Sequence, residues 1–380
     1  MMIIENQYHS YNLGELPEGC QYCVRGEKLV IFVTGLCPRR CSFCPLSDEK
    51  FQQDVSYANE RKVFSTEDVL KEARLMKARG AGLTGGDPLS KLERTARFIK
   101  SLKKEFGASF HIHLYTSLRL VSEDKLQQLY MAGLDEIRFH LDLDSQQQWE
   151  RMELAKKFPW KIGVEVPVIP GKEKELKNLI NFISGKVDFL NLNELEIADN
   201  SHSKLLEMGF EVKDQLSYAV KGSLGLGLEL LKYVQEKKLN LRVHLCTAKL
   251  KDAVQLANRL KREAKGAKHD FDLVDEEGLL TRGALYLPEL APGFSYRQKL
   301  KETNKETILA QLRPLLVEVQ QKLKLAEREI LLDAEKPRIL ISRKQALKHQ
   351  KELRKIGLKV AIVTEYPTAD QLEMEVEFLE

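Results

Sequence analysis

No stretch of this 380-residue chain is both long and apolar: the longest run, LVIFV at 29–33, falls far short of the roughly twenty residues a membrane helix needs. The first thirteen residues lack the basic flank and apolar segment of a secretory leader. A cytoplasmic location with no membrane partner is therefore expected. There is no low-complexity linker and no repeat at a fixed period, which excludes solenoids and propellers. An excess of one charge is also missing: Lys and Arg number 60 against 56 Asp and Glu, and a net +4 is too small to name a partner. Nothing in the pattern implies an oligomeric state. Cysteine is scarce, six in all. In a reducing compartment a disulfide framework is not expected, so the thiols are free or bind metal, and their spacing becomes informative.

What is present is the composition of a folded protein. The chain is 43% hydrophobic and 31% charged with both signs interspersed, and it is long enough for a catalytic domain plus an appended one. Its Lys and Glu content is compatible with a thermophilic source. Short apolar runs at 28–34, 81–84, 110–115, 136–141, 163–169, 189–196 and 240–246 read as strands, and they alternate with helical stretches at 65–78, 92–105, 124–132, 173–184 and 224–235. The alternation predicts an α/β fold, a parallel sheet with helices outside, either open or closed into a barrel. Either form puts functional residues at the C-terminal ends of the strands. Beyond 246 the texture changes to a basic helical stretch at 249–265, a hairpin near Gly278, a long helix over 307–328 and a β-α-β unit at 338–364, with a last strand at 372–379. The reading is an N-terminal extension at 1–27, a core domain at 28–248 and a small basic α+β domain at 249–380.

Cys37, Cys41 and Cys44 stand in C-P-R-R-C-S-F-C, directly after the first of these strands and Gly35. Three thiolates on one short loop can hold three irons of a cubane cluster, leaving the fourth iron open. Structural zinc prefers four closed ligands, usually as two short pairs, and fits this spacing poorly.

At this motif the chain resembles the radical SAM (S-adenosylmethionine) superfamily: the three cysteines follow the first strand, and aromatic Phe43 precedes the third. Thr84-Gly85-Gly86-Asp87-Pro88 ends the next strand and resembles the family's Gly-Gly-Glu-Pro segment, with Asp87 in place of the glutamate. Runs such as TGLCPRRCSFCPLS and AGLTGGDPL are similar to an archaeal branch described as related to pyruvate formate-lyase activating enzyme. The resemblance covers 28–246 and implies a partial or full β/α barrel of radical SAM type. It also implies a 4Fe-4S cluster on Cys37, Cys41 and Cys44, SAM as cofactor, and an electron donor of ferredoxin or flavodoxin type. One-electron cleavage of SAM would give methionine and a 5′-deoxyadenosyl radical that takes hydrogen from a substrate. By the same resemblance the Phe43 backbone lies near the adenine, and Thr84, Gly85, Gly86 and Asp87 lie at the SAM amino group. Arg138 is a candidate for the SAM carboxylate, or alternatively an ion-pair partner.

Asn191 and Asn193 alternate with leucines in FLNLNELE, so one face of that strand is polar. Substrate or SAM-ribose contacts, or a satisfied hydrogen-bond network, would account for them. His111, His113 and His140 carry the same two readings; a strand histidine is more often a hydrogen-bonded core residue than a ligand, and none of the three is taken as catalytic. Cys20 and Cys23 form C-x2-C in a polar, turn-rich segment, and Cys246 ends the last core strand with His244 on the same face. A second Fe-S cluster on Cys20, Cys23 and Cys246 is one expectation, a zinc site using His244 another, and unpaired structural cysteines the third. Lys344, Lys348, Lys351 and Lys355 recur at helical spacing in the basic C-terminal unit, and a cationic stripe of this kind suits a phosphate backbone. RNA is therefore the leading substrate expectation. A glycyl-radical-type protein activase or a small-molecule enzyme is the alternative, and a non-catalytic Fe-S or zinc nucleic-acid-binding protein is the reading from another class.

Overall fold

The protein is seen in a computed structural model that describes residues 2–380. It divides into two compact units, Met1–Arg259 and Leu260–Glu380.

Unit 1 begins with β1 (Ile3–Glu5), β2 (Tyr11–Leu13) and α1 (Glu18–Val24). The core follows: β3 (Lys28–Phe32), β4 (Tyr57–Ala58), β5 (Arg61–Lys62), α2 (Thr66–Leu75), β6 (Gly80–Thr84), α3 (Leu92–Phe106), β7 (His111–Ser117), α4 (Glu123–Ala132) and β8 (Glu136–His140). It continues through β9 (Lys161–Val168), α5 (Glu173–Ile183), β10 (Phe189–Glu194), α6 (Ser223–Glu236) and β11 (Arg242–Cys246). All the strands expected from the alternation are present. β3, β6, β7, β8, β9, β10 and β11 lie side by side in chain order, and every neighbouring pair is parallel. Because each crossover steps in the same direction and crossovers are right-handed, the helices all fall on one face. The sheet is a partial barrel: β3 and β11 do not pair, and its edges carry the antiparallel strands β4–β5 and β2–β1 instead.

Strand alternation then separates two environments. Ile112, Leu114, Ile137, Phe139, Val164, Val166, Leu190 and Leu192 point towards the helices and form the apolar core. The other face carries Lys28, His111, His113, Glu136, Arg138, Glu165, Asn191 and His244. Buried polar groups need partners, and here Lys28 bonds His111, Arg138 bonds Glu136 and Glu165, and Asn191 bonds Glu165.

The segment holding Cys20 and Cys23 departs from expectation. It is not a turn-rich loop but helix α1, and the chain doubles back to place it. β2 pairs antiparallel with β11 (Val243 with Leu13, Leu245 with Tyr11), and α1 then lies against the polar face of the sheet. Gly19 makes this approach possible, since a Cβ there would sit 2.5 Å from Arg138 Nη2. After β11 the chain forms a π-helix, Leu250–Leu256, and then α7 (Ala257–Ala267).

Unit 2 contains β12 (Leu273–Val274), β13 (Leu280–Tyr286), α8 (Tyr296–Glu302), α9 (Lys305–Leu323), β14 (Ile330–Asp333), β15 (Arg338–Ile341), α10 (Arg343–Lys355), β16 (Lys359–Glu365) and β17 (Glu373–Phe378). β12 and β13 form the hairpin expected near Gly278. β15, α10 and β16 form the β-α-β unit, with β13 inserted antiparallel between its two strands.

Candidate functional site

The loop that leaves β3 carries Cys37, Cys41 and Cys44, all free and half-buried. Its shape comes from local bonds: Gly35 N donates to Gln53 O, Gln52 Nε2 to Cys37 O, and Cys44 N to Cys41 O. The Arg39 backbone N–H reaches Cys37 Sγ at 3.4 Å. Burial raises all three thiol pKa values, that of Cys37 to about 11. Arg39 and Arg119 oppose this at Cys41 and favour its thiolate.

Thr84, Gly85, Gly86 and Asp87 lie directly against this loop. Gly86 N donates to Thr34 O at 2.7 Å and Asp87 N to Leu36 O at 2.9 Å. Gly85 has φ +137°, and a Cβ on Gly86 would meet Leu36 O at 2.4 Å, so both positions require glycine for this contact. The Asp87 carboxylate turns inward. It accepts from Thr116 Oγ1 and Ser117 Oγ, both at 2.7 Å, and from the Ser117 and Leu89 amides, and so ties the ends of β6 and β7 together. Burial raises its pKa, and these donors counter the rise.

Phe43 packs with Ile169, Leu195, Ile197, Leu205 and Val220, its ring 5.7 Å from that of His140. Beside it is a cavity of about 80 Å³ that shares Arg39, His140 and Asp142 with a second of about 320 Å³, whose wall includes Arg119 and Trp149. His140 is held neutral, its pKa lowered to about 4 by burial and Arg39. The long connection after β10 lies over the cysteine loop: Asn200 Nδ2 donates to Cys44 O and Leu46 O, and Lys204 N to Ser42 O.

Arg138, Asn191 and Asn193 come together away from this loop, inside the partial barrel, and their common partner is Glu165. Arg138 Nη1 and Asn191 Nδ2 bond one carboxylate oxygen at 2.9 and 2.8 Å, and Asn193 Nδ2 bonds the other at 3.0 Å. Arg138 also meets Glu136 at 2.6 Å and the Tyr115 hydroxyl at 3.1 Å, so its donors are engaged. Sequence reasoning passed over Glu165, although a lone carboxylate in the apolar strand GVEVPV is itself a signal. His111 and His113 sit in the same interior as expected of core residues, and Lys28 bonds His111 Nδ1 and O. Cys20 and Cys246 are buried near this group and Cys23 is half-buried; none of the three lies on the loop of Cys37.

The donor set suits an iron-sulfur cluster: three thiols from one loop, a backbone N–H already on one sulfur, and the glycine pair that closes against the loop. The model of the radical SAM superfamily matches residues 31–183. A protein of Methanocaldococcus jannaschii described as a putative glycyl-radical enzyme activating enzyme is 37% identical over 378 residues, covering 97% of this chain and 94% of that one. Biotin synthase of Shewanella baltica is 32% identical over 121 residues, 31% of this chain and 33% of that one. The structure of the hydrogenase maturase HydG is 11% identical over 88% of this chain and 83% of that one, with a TM-score of 0.40; for methylornithine synthase the values are 16%, 58%, 70% and 0.38. Likenesses this loose carry no weight beside the sequence matches. The chain belongs to the radical SAM superfamily. It is accordingly an enzyme that uses a 4Fe-4S cluster and SAM. Among the described residues no helix is long and apolar enough to cross a membrane.

Proposed function

We propose that this radical SAM enzyme is an activase that takes hydrogen from a backbone glycine of a partner protein. The observation that carries the reading is the similarity to the M. jannaschii protein, which runs through both units rather than through the core alone. Sequence reasoning favoured RNA; a relative of this extent moves the preference to a protein.

In this reading Cys37, Cys41 and Cys44 would hold the cluster, and when reduced by a ferredoxin or flavodoxin it would supply the electron for cleavage of the SAM sulfonium. The chain's own residues do the rest. The strand end at Thr84, Gly85 and Gly86 offers backbone groups to the SAM amino group, while Asp87 keeps that strand end in place through β7. Phe43 and its apolar neighbours give the adenine a dry wall. Arg138 is the clamp of the barrel interior rather than the partner of the SAM carboxylate, because Glu136 and Glu165 already hold it. Glu165 is held inside the barrel by Asn191 and Asn193. Hydrogen abstraction would break one Cα–H bond of glycine, form one C–H bond at the 5′ carbon of the nucleoside and leave the radical on the partner protein.

The test is anaerobic turnover with SAM, reduced flavodoxin and proteins from cells grown on α-deuterated glycine. Deuterium should enter 5′-deoxyadenosine, and a glycyl-radical spectrum should appear. Deuterium-free 5′-deoxyadenosine would reject the activase reading. Replacing Cys37, Cys41 or Cys44 by Ala should reduce 5′-deoxyadenosine formation to background while circular dichroism stays unchanged.

One observation favours RNA as a second reading: Lys344, Lys348, Lys351 and Lys355 all stand exposed along α10. If RNA is the substrate, converting the four to Glu should weaken its binding strongly, and parent binding should fall steeply with salt. Equal binding by the two proteins would remove this reading.

A further inference from the structure

Half of the cysteines take no part in the site on the loop after β3, and the fold gathers them at the seam between α1 and β11. Cys20 and Cys23 lie one turn apart on one side of α1. Cys20 Sγ accepts from Asn191 Nδ2 at 3.4 Å and faces Arg138 Nη2 at 3.6 Å. A buried cysteine that serves packing alone needs neither donor. Cys246 and His244 project from β11 on the same face, opposite Asn193 and Asn191 in register, so they border the groups that hold Cys20. Cys246 also packs against Val24, the residue after Cys23.

Packing alone accounts for Cys246, whose other neighbours are Leu250, Tyr8 and Val254. It does not account for the polar donors on Cys20, or for His244. That imidazole is 2% exposed; its Nε2 meets Ser10 Oγ at 3.2 Å, and its buried Nδ1 has no partner.

We infer that Cys20, Cys23 and Cys246 bind a second metal, a zinc ion or an iron-sulfur cluster held by three thiolates, with His244 Nδ1 as the fourth donor. Three sulfurs and one imidazole nitrogen form a closed set, as a structural centre requires. Its structural role would be to fasten α1 and β11 to each other. Among the described residues neither cysteine triad of the chain stands in metal-bonding geometry, so the ion would draw its ligands in.

The experiment needs no SAM chemistry, so it is independent of the activase reading. Iron, zinc and acid-labile sulfide are measured on anaerobically purified, reconstituted full-length protein. The parent should carry metal beyond the loop cluster: more than about four irons per chain, or about one zinc beside them. The Cys37→Ala/Cys41→Ala/Cys44→Ala variant should keep only the second metal, and iron with sulfide, or zinc alone, tells which it is. Adding Cys20→Ala/Cys23→Ala should remove it. X-ray absorption at the retained metal should show a nitrogen neighbour that His244→Ala eliminates. A parent with about four irons and no zinc overturns the inference even if the variants fail to fold. So does a triple variant that folds without metal, or metal that survives loss of Cys20 and Cys23. Persistence of the nitrogen signal in His244→Ala overturns the assignment of the fourth donor.

Discussion

Each unit buries an arginine against two carboxylates and a tyrosine hydroxyl. Arg338 bonds Asp333, Glu365 and Tyr286, and its last neighbour is the Gln371 amide at 3.4 Å. Arg138 bonds Glu136, Glu165 and Tyr115, and its last neighbour is the Cys20 thiol at 3.6 Å. The partners of Arg338 come from β13, β14 and β16, strands of its own sheet, and from Gln371 in the turn that leads to β17, so the network ties that sheet together. The partners of Arg138 come from three strands and from α1, and they lie beside thiols, imidazoles and two further amides. The lesson is that a buried ion network alone does not mark a site. What separates the two is the reactive company of Arg138 and Glu165 at its edge, whose side chain keeps 17% exposure.

Substitution should expose the difference. Arg338→Met leaves Asp333 buried without its cation and Glu365 with only Arg282 at 3.4 Å, and should cost about 3–5 kcal/mol in urea unfolding, while 5′-deoxyadenosine formed per folded molecule stays at the parent level. Arg138→Met should lose comparable stability and turnover as well. Equal turnover in both variants would make the two networks equivalent.

Lys28 sharpens the contrast through pH, because burial lowers its pKa from 10.5 to about 7. The unfolded chain binds this proton more tightly, so the stability contribution is complete above about pH 10.5 and declines as pH falls towards 7. Denaturation of the parent across that window should show the slope, and Lys28→Met should flatten it. Asp87→Asn comes next. Withdrawing one acceptor oxygen from four buried donors should cost about 1–3 kcal/mol, yet SAM cleavage should persist because the carboxylate bonds Thr116, Ser117 and Leu89 and no group of the cysteine loop. The smallest expected effect is in unit 2: Ser342→Ala removes the cap that accepts from Gln345 N at 3.1 Å and should cost about 1 kcal/mol. Thermal scans would check both.

The parallel strands were legible because each is an apolar run bounded by a helix, a signal carried within a few residues. The cysteine loop and the glycine pair were legible for the same reason. β1, β2 and α1 were not: strands of three residues have too little pattern, and their pairing is supplied by β11 from the far end of the unit. Arg138, Asn191 and Asn193 were each visible as polar residues in strands. Their convergence on Glu165 was not, since it depends on how three strands align. Asp87 looked like a shortened glutamate until Thr116 and Ser117 came into view as its partners.

The distance between Ser10 and His244, 234 residues along the chain and 3.2 Å in space, sets an order of events during synthesis. The N-terminal hairpin leaves the ribosome first, yet its partner strand is the last of the sheet to emerge. Through that whole interval α1 has no β11 beside it. Closure of unit 1 is a late, long-range step of the kind that slows folding. Whatever enters its interior has the length of translation in which to arrive, and is enclosed once Cys246 reaches its place.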